Sequence, residues 1–365
     1  MIVRPLTEYC TLNMGQSPDS KTYNTQGKGL PFYQGNADFG ESHPITRVWC
    51  SAPVKVAEDG DILISVRAPI GAMNMAVERC CIGRGLAALT PIRNKCSKKF
   101  LYYALQSKVD SLIAQGTGST FKAIGKKVLE TTCIPAYSTI EQEQIAETIG
   151  HIDNTIAARR NQLALLDQLV KSRFIELFGM PGTDAFGWGL VPLGSTCNIN
   201  PKKSLDSRLV SGVMVSFVPM PAVTEHGEID ATAIKEYDEV KTGFTYFAEN
   251  DVLFAKITPC MENGKGTVAK GLHNGIGFGS TEFHVLRPIS GKTDPYWIYT
   301  LTAFSQFRMD AASNMTGSAG QRRVPASFLE NYRVSLPPIA LQEQFAAFVE
   351  QTDKSKLCGK MEVAA

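Results

Sequence analysis

The stretch from Ser138 to Phe178 reads STIEQEQIAETIGHIDNTIAARRNQLALLDQLVKSRFIELF. It has no proline, and Gly150 is its only glycine. Apolar residues recur along it at steps of three, four and seven, the heptad spacing of a helix that packs lengthwise on another helix. The residues of this seam are Ile145, Ile149, Ile152, Ile156, Leu163, Leu166, Val170, Phe174 and Leu177.

Local signals set the ends of this predicted helix. Ser138 lies three residues before Glu141, which is the spacing of a capping box, and Gly179 and Pro181 follow the last apolar residue. At about 1.5 Å per residue, some 40 residues make a rod of about 60 Å. Such a helix is either buried within one large domain or a spacer between two domains.

The composition favours a soluble two-domain protein. The 365 residues exceed what one core usually holds, and 44% are hydrophobic. Neither a run of 18 apolar residues nor an apolar core near the N-terminus occurs, so we expect no membrane span, no export and a cytoplasmic location. The nine cysteines are an odd number without metal-binding spacing, which predicts reduced thiols and no metal site.

Segments of the sequence before the long helix are repeated after it. Gln142-Glu143-Gln144 matches Gln342-Glu343-Gln344 at an offset of 200 residues, and Asn250–Phe254 resembles Gly60–Ile64. This tandem duplication favours the spacer interpretation. It predicts an α+β chain with a first domain at 1–137, the long helix at 138–178, a second domain at 179–335, and a second helix and tail at 336–365. The second helix, from Leu341 to about Leu357, is the shorter, with Phe345 and Val349 on its seam.

Smaller elements follow from spacing and turn signals. We predict a strand at 61–67, a helix at 98–114, a short helix at 124–129 and a helix at 297–308. The glycine-rich run Gly275–Gly279 is interpreted as a hairpin turn, because it does not connect a strand to a helix as a dinucleotide-binding loop does.

Catalytic signatures are missing from the sequence. Gly291-Lys292-Thr293 ends like a phosphate loop, but the first glycine of that motif is replaced by Leu286. Asn200-Pro201 precedes two lysines, so it lacks the tetrapeptide with which amino methyltransferases hold a flipped base. We therefore predict a non-catalytic protein, although a Ser/His/Asp site built from distant residues stays open.

Polar and basic residues occur at matching places in both halves. Hydroxyl groups and glycines let backbone N–H groups approach phosphate, while Gln and Arg can bond base edges. Residues 1–137 also carry 16 Lys and Arg against 10 Asp and Glu. The alternative is a solvated surface loop that caps a sheet. The DNA-binding candidates are Tyr33, Gln34, Arg67, Thr117, Ser119, Lys122, Lys126, Lys127, Phe217, Lys256, Thr316, Ser318, Gln321, Arg322 and Arg323.

The pattern resembles the DNA-specificity subunit of type I restriction-modification systems. The resemblance covers nearly the whole chain and rests on two copies of one motif, Ile134-Pro135 leading to Ile140–Ala146 and Leu336-Pro-Pro leading to Phe345. It implies two mixed α/β target recognition domains, each reading one half of a bipartite asymmetric DNA site. It also implies that the long helices pair as an antiparallel coiled coil, with the seam residues as coil or subunit contacts.

The resemblance further implies a division of labour. The chain does no chemistry and binds no cofactor. Two modification subunits, which carry S-adenosylmethionine and methylate adenine, dock on it, and a restriction subunit can join them. The alternative, from another functional class, is a coiled-coil adaptor whose two domains bind proteins and read no DNA.

Overall fold

A computed structural model describes residues 2–118, 122–318 and 320–364, with side chains as far as residue 357. The chain divides into two compact units, Met1–Ala157 and Ala158–Ala365. The division falls inside the long helix, so each unit includes half of it. Among the described residues, no helix has the length and apolar character needed to cross a membrane.

The first unit is built from short strands followed by helices. Its strands are β1 (Val3–Pro5), β2 (Cys10–Met14), β3 (Tyr23–Asn24), β4 (Leu30–Tyr33), β5 (Trp49–Cys50), β6 (Val56–Ala57), β7 (Ile62–Ser65), β8 (Met73–Met75), β9 (Cys80–Ile82), β10 (Leu86–Pro91) and β11 (Cys133–Pro135). Its helices are α1 (Lys98–Gln106), α2 (Val109–Ala114), α3 (Lys126–Thr131) and the first part of α4 (Thr139–Phe178).

Three sheets organise this unit. One has the order β2-β10-β7-β8, another the order β3-β5-β4-β9-β6, and β1 pairs with β11. Strands β4 and β9 run parallel, with Tyr33 opposite Ile82. Burial of the apolar side chains between the first of these sheets and α1 and α2 makes the main core, which includes Ile62, Leu101 and Leu112.

The second unit repeats this plan. Its strands are β12 (Leu190–Pro192), β13 (Cys197–Ile199), β14 (Met214–Val218), β15 (Ile234–Glu236), β16 (Thr245–Ala248), β17 (Val252–Ala255), β18 (Gly266–Val268), β19 (Ile276–Gly279), β20 (Phe283–Pro288) and β21 (Arg333–Ser335). Its helices are the rest of α4, α5 (Tyr237–Val240), α6 (Pro295–Ala303), α7 (Ser305–Ser313), α8 (Ala326–Asn331) and α9 (Ile339–Ala364).

The sheets of the second unit follow those of the first, except that the five-stranded sheet is replaced by a four-stranded one. They are β13-β20-β17-β18, β15-β14-β19-β16 and the pair β12-β21, and β14 runs parallel to β19 as β4 does to β9. The mixed α/β fold predicted from the sequence is thus present twice. The strand predicted at 61–67 is present as β7, with buried residues throughout.

The capping box predicted at the start of the long helix is present. The backbone N–H of Ser138 donates to Glu141 Oε2 at 2.8 Å, and Glu141 N donates to Ser138 Oγ at 3.3 Å. The Ser138 hydroxyl also donates to Glu141 Oε2 at 2.7 Å, and this bond, together with the one from Ser138 N, lowers the pKa of Glu141. The helix then continues for 40 residues to Phe178.

Four local predictions need correction. The helix expected at 98–114 is broken after Gln106 into α1 and α2, and that at 297–308 after Ala303 into α6 and α7. In each unit both helices bury apolar residues in one core, so the apolar spacing of the sequence does not reveal the break. The short helix starts at Lys126, two residues late. Helix α9 does not end near Leu357 but continues to Ala364.

The run Gly275–Gly279, predicted as a turn, contains strand β19 in the middle of a sheet. A Cβ on Gly277 would lie 2.1 Å from the ring of Phe247, so glycine is needed there for the ring to pack. Close approach between a side chain and a backbone is a common reason for a glycine inside a strand.

The seam of the long helix is covered unevenly. In the second unit Val170, Phe174 and Phe178 are buried, and the rings of Phe174 and Phe178 each lie 5.5 Å from that of Phe345 on α9. Val349 is buried as well. In contrast, Ile152 is 53% exposed. The remaining seam residues, each partly buried, are Ile145, Ile149, Ile156, Leu163, Leu166 and Leu177.

Candidate nucleic-acid interface

In the first unit a short antiparallel bridge closes the polar segment that carries Thr117 and Lys122. Thr117 N donates to Ala123 O at 3.0 Å, and Ala123 N donates back to Thr117 O at 2.9 Å. Ala68 N donates to Lys122 O at 3.0 Å, which attaches the segment to the chain that leaves β7. We call the Thr117–Ala123 pair the first bridge. The side chains of Thr117 and Lys122 are exposed.

The second unit has the same construction. Thr316 N donates to Arg323 O at 2.9 Å and Arg323 N to Thr316 O at 2.8 Å, and we call this pair the second bridge. Thr258 N donates to Arg322 O at 3.0 Å, as Ala68 N does to Lys122 O. Arg322 and Lys122 therefore hold equivalent, exposed positions, each next to the second residue of its bridge.

The hydrogen bonds also set the register of the strand ends. Ile124 N donates to Val66 O, and Val324 N donates to Lys256 O. The counterpart of Lys256 is therefore Val66 and not Arg67, in agreement with the match of Asn250–Phe254 to Gly60–Ile64. Arg67 and Lys256 thus occupy positions one residue apart in the repeat, and Arg67 is exposed whereas Lys256 is half-buried.

Arg323 is held by a carboxylate. Its Nε donates to Glu282 Oε2 at 2.9 Å and its Nη2 to Glu282 Oε1 at 2.8 Å, a two-pronged contact. The Arg323 side chain, through its hydrogen bonds, lowers the pKa of Glu282, and Glu282 raises the pKa of Arg323. Burial lowers the pKa of nearby Lys256, against the opposing effect of Glu282. These three residues form a charged cluster beside the second bridge.

The Arg322 side chain is bound by backbone carbonyls at the end of α7 and just after it. Its Nη2 donates to Ala312 O at 2.8 Å, at the end of α7. One nitrogen of the guanidinium is thus engaged, while the side chain as a whole is exposed. An arginine held at one nitrogen keeps further N–H donors for a phosphate or a base edge.

Two aromatic candidates have different surroundings. Tyr33 is only 2% exposed, and its hydroxyl bonds Thr46 Oγ1 at 2.7 Å, so its ring belongs to the core and is not available for a base contact. Phe217 is partly exposed, with Lys235 Nζ 4.4 Å above its ring and Phe244 edge-on at 5.0 Å. A cation above the face of an aromatic ring is attracted to that ring.

The other candidates lie on the surface near the bridges or at strand ends. Gln34 follows β4, and its backbone N–H bonds Asp38 Oδ2 at 2.7 Å. Lys126 pairs with Glu130 at 3.2 Å on α3. Ser119 lies outside the described residues. Thr316, in the second bridge, is exposed as well, and the exposed candidates not yet placed are Lys127, Ser318 and Gln321.

Sequence reasoning missed Glu282 and Lys235. Glu282 is 41 residues from its partner Arg323, and Lys235 is 18 residues from Phe217, so no local motif links either pair. Phe217 and Lys235 lie on the paired strands β14 and β15, and Glu282 precedes β20 where the folded chain passes the second bridge, so both contacts exist only in the folded unit. In the described part of the chain, no group of three or more His, Cys, Asp or Glu side chains could hold a metal ion.

Two mixed α/β units, each with a long helix and an exposed cation beside a polar bridge, define a class of duplicated two-domain proteins. The model for the type I restriction modification DNA specificity domain matches residues 1–168 and 187–359. The chain belongs to this family, and the resemblance inferred from the sequence is confirmed.

Similar proteins agree with this assignment. The chain is 40% identical over 231 residues to the EcoAI specificity subunit of Escherichia coli, covering 61% of this chain and 38% of that protein. It is 34% identical over 246 residues to the EcoEI specificity subunit of the same species, covering 64% and 40%. The chain thus spans about 40% of the length of these curated relatives.

A solved structure shows the same fold over the whole chain. The S subunit of a type I restriction-modification system from M. genitalium aligns with a TM-score of 0.57 and 16% identity. The alignment covers 100% of this chain and 92% of that one. At this identity the likeness concerns the fold alone.

Proposed function

We propose that this chain is the DNA sequence-specificity subunit of a type I restriction-modification complex. The observation that carries the proposal is the repeated bridge, with Lys122 and Arg322 exposed at equivalent positions of two similar units. Two similar readers in one chain suit a DNA site made of two unlike halves. Side-chain differences around the bridges, such as the Glu282–Arg323 pair, would let each unit prefer its own half.

The proposed readers correspond to residues 1–137 and 179–335, and helices α4 and α9 form the spacer between them. We propose that these helices pair as an antiparallel coiled coil. Support comes from the second unit, where Phe174 lies against Phe345, whereas Lys356 Nζ binds Asp167 Oδ1 at 2.8 Å. The contact residue nearer the N-terminus of α4 meets the residue nearer the C-terminus of α9, as expected for two antiparallel helices.

The proposed complex contains two modification subunits, and a restriction subunit can join it. Adenine methylation and S-adenosylmethionine binding are assigned to the modification subunits, so this chain has no turnover of its own. Because the proposed complex acts on the cell's own DNA, we propose a cytoplasmic location. The buried seam residues stabilise the helix pair, and exposed ones such as Ile152 are candidates for contact with a partner.

Single-molecule sequencing of host DNA tests the function directly. A strain that lacks this gene should lose N6-methyladenine at one bipartite motif that the parent strain methylates. Binding of the purified complex to duplexes at varied salt is the second test, since phosphate contacts make affinity fall with salt concentration. Unchanged methylation together with a flat salt response would exclude DNA readout and favour a protein-binding adaptor.

A further inference from the structure

The Gln-Glu-Gln motif that starts each long helix contains one buried and one exposed glutamine. Gln142 and Gln342 are each 0% exposed. Gln144 and Gln344, two residues later in each copy, lie on the surface. A polar side chain is fully buried at low cost only when its hydrogen-bonding groups find partners. The question is therefore what the buried glutamines bind.

In the first unit the Gln142 amide joins two separate backbone segments, one before α1 and one before α4. Its Oε1 accepts from Ser97 N at 2.9 Å, and its Nε2 donates to Lys95 O at 3.1 Å and Tyr137 O at 3.0 Å. Ser97 is the residue that precedes α1, and Tyr137 precedes the cap of α4. One side chain thus ties the first turn of the long helix to the start of α1.

In the second unit Gln342 makes the same three bonds. Its Oε1 accepts from Asp294 N at 3.0 Å, and its Nε2 donates to Lys292 O at 3.1 Å and Pro337 O at 2.9 Å. Asp294 caps α6, the counterpart of α1. The repetition of acceptor and donors in two units identifies a built joint between a long helix and its globular body.

The bonds of Gln142 lie in the first turn of a long helix, so a small change in its direction becomes a large displacement at its other end. Helix α4 has 40 residues, which is about 60 Å. A tilt of about 5° at one end of such a rod moves the other end by about 5 Å, whereas one base pair adds about 3.4 Å to DNA. Small changes in the direction of the helix are therefore as large as the step between neighbouring base pairs.

We infer that Gln142 and Gln342 are positioning residues that fix the direction in which each long helix leaves its globular body, and that they thereby set the number of base pairs between the two half-sites. The inference rests on the proposed function. Three bonds to the backbone at the starts of two different helices restrain a direction, which a single bond would not. Neither residue contacts DNA, so the effect is on spacing and not on the bases read.

Spacer-length discrimination of the full complex tests this inference. The probes are duplexes with the bipartite motif found by sequencing host DNA, at its native spacer and with one base pair added or removed. We expect the wild-type complex to prefer the native spacer by at least about tenfold in Kd, and Gln142→Met or Gln342→Met to reduce that preference to within about threefold. Methionine keeps the length of the side chain and removes all three bonds.

The matched controls are Gln144→Met and Gln344→Met, which should retain the wild-type preference. If Gln142→Met fails to fold, as judged by circular dichroism, then Gln142→Asn retains a buried amide but shortens its reach. Weaker binding on every spacer, with the preference intact, would show a purely structural role and overturn the inference alone. A wild-type complex without sequence preference would overturn the proposed function and the inference with it.

Discussion

The guanidinium of Arg323 is fixed on the carboxylate of Glu282, with Nε and Nη2 each bonded to a different oxygen. The backbone of Glu282 takes part as well, because its carbonyl accepts from Lys256 N at 2.9 Å. The second bridge is therefore connected to strand β20 and to the end of β17 through one acidic residue. An arginine fork held in this way is pre-organised, so less rotamer freedom is lost when its remaining N–H groups bind a ligand.

Our first prediction concerns this ion pair. We expect Arg323→Ala to relax base preference in one half-site and to leave the other half-site unchanged, since Arg323 belongs to the second unit alone. A lost base contact costs about 1–3 kcal/mol, which is about 5- to 150-fold in Kd. The measurement is binding of the complex to duplexes substituted at each position of the motif.

The control for this prediction is Arg333→Ala, which removes an exposed arginine from β21 of the same unit. Glu282→Gln is informative as well, because it leaves Arg323 in place without its partner's charge. We expect it to weaken base preference while non-specific binding increases. Equal weakening of Arg323→Ala on all sequences would instead mark Arg323 as a phosphate contact.

Our second prediction uses the equivalence of Lys122 and Arg322. Each single change to alanine removes one exposed cation beside a bridge, so we expect each to reduce the slope of log K against log salt by about one. The sequence preference should change at most in the half-site that the altered unit reads. Two variants that both disturb the same half-site would contradict the assignment of one reader to each unit.

The duplication and the long helix could be predicted from the sequence because both are marked by short sequence motifs. Ser138 and Glu141 form their capping box within one turn, and the Gln-Glu-Gln copies lie at a fixed offset. The candidate site was harder to predict. Tyr33 carries a polar group typical of an interface, yet its ring fills the space between strands, and only the folded sheet reveals this burial.

The two cations at the strand ends are not equivalent. Arg67 and Lys256 both follow a buried strand, but the repeat pairs Lys256 with Val66, so the two cations are shifted by one residue. Because side chains alternate between the faces of a strand, that shift decides which cation is exposed. The ion pair of Arg323 also depends on a partner 41 positions away, which no periodicity indicates.

Our third prediction concerns the contact between the helices in the second unit. Phe174 is 1% and Phe345 0% exposed, and their rings meet edge-on. We expect Phe174→Ala to lower the free energy of unfolding by about 3–5 kcal/mol, because a large buried ring leaves a cavity. Urea titration followed by circular dichroism measures this loss.

The control is Leu169→Ala on the same helix, where the side chain is 48% exposed and the expected loss is below about 1 kcal/mol. Equal losses for Phe174→Ala and Leu169→Ala would mean that the buried face does not stabilise the chain. The Phe174 variant should also bind DNA less tightly if the spacer depends on this contact.

Our last prediction is a pH dependence from His284, which is 5% exposed on β20. Its Nε2 donates to Val324 O at 2.8 Å, and its Nδ1 lies 3.0 Å from Asn200 Nδ2. Asn200 Oδ1 accepts from Val285 N and lies farther from Nδ1, at 3.4 Å, than Nδ2 does, so the amide N–H group is the nearer partner of the ring and Nδ1 is assigned as the acceptor. The neutral imidazole satisfies both bonds, whereas a proton on Nδ1 would oppose the amide. Burial lowers the pKa of His284 as well.

A depressed pKa makes the unfolded state bind the proton first as pH falls. The stability contributed by neutral His284 is therefore complete above about pH 6.5 and decreases as pH falls below that value. We expect His284→Asn to be less stable than wild type at pH 8 and to show a smaller further loss between pH 7 and pH 5. The matched control His273→Gln changes an exposed histidine of the same unit and should keep the wild-type slope. Parallel slopes for all three proteins in urea titrations would show that His284 is not the group responsible.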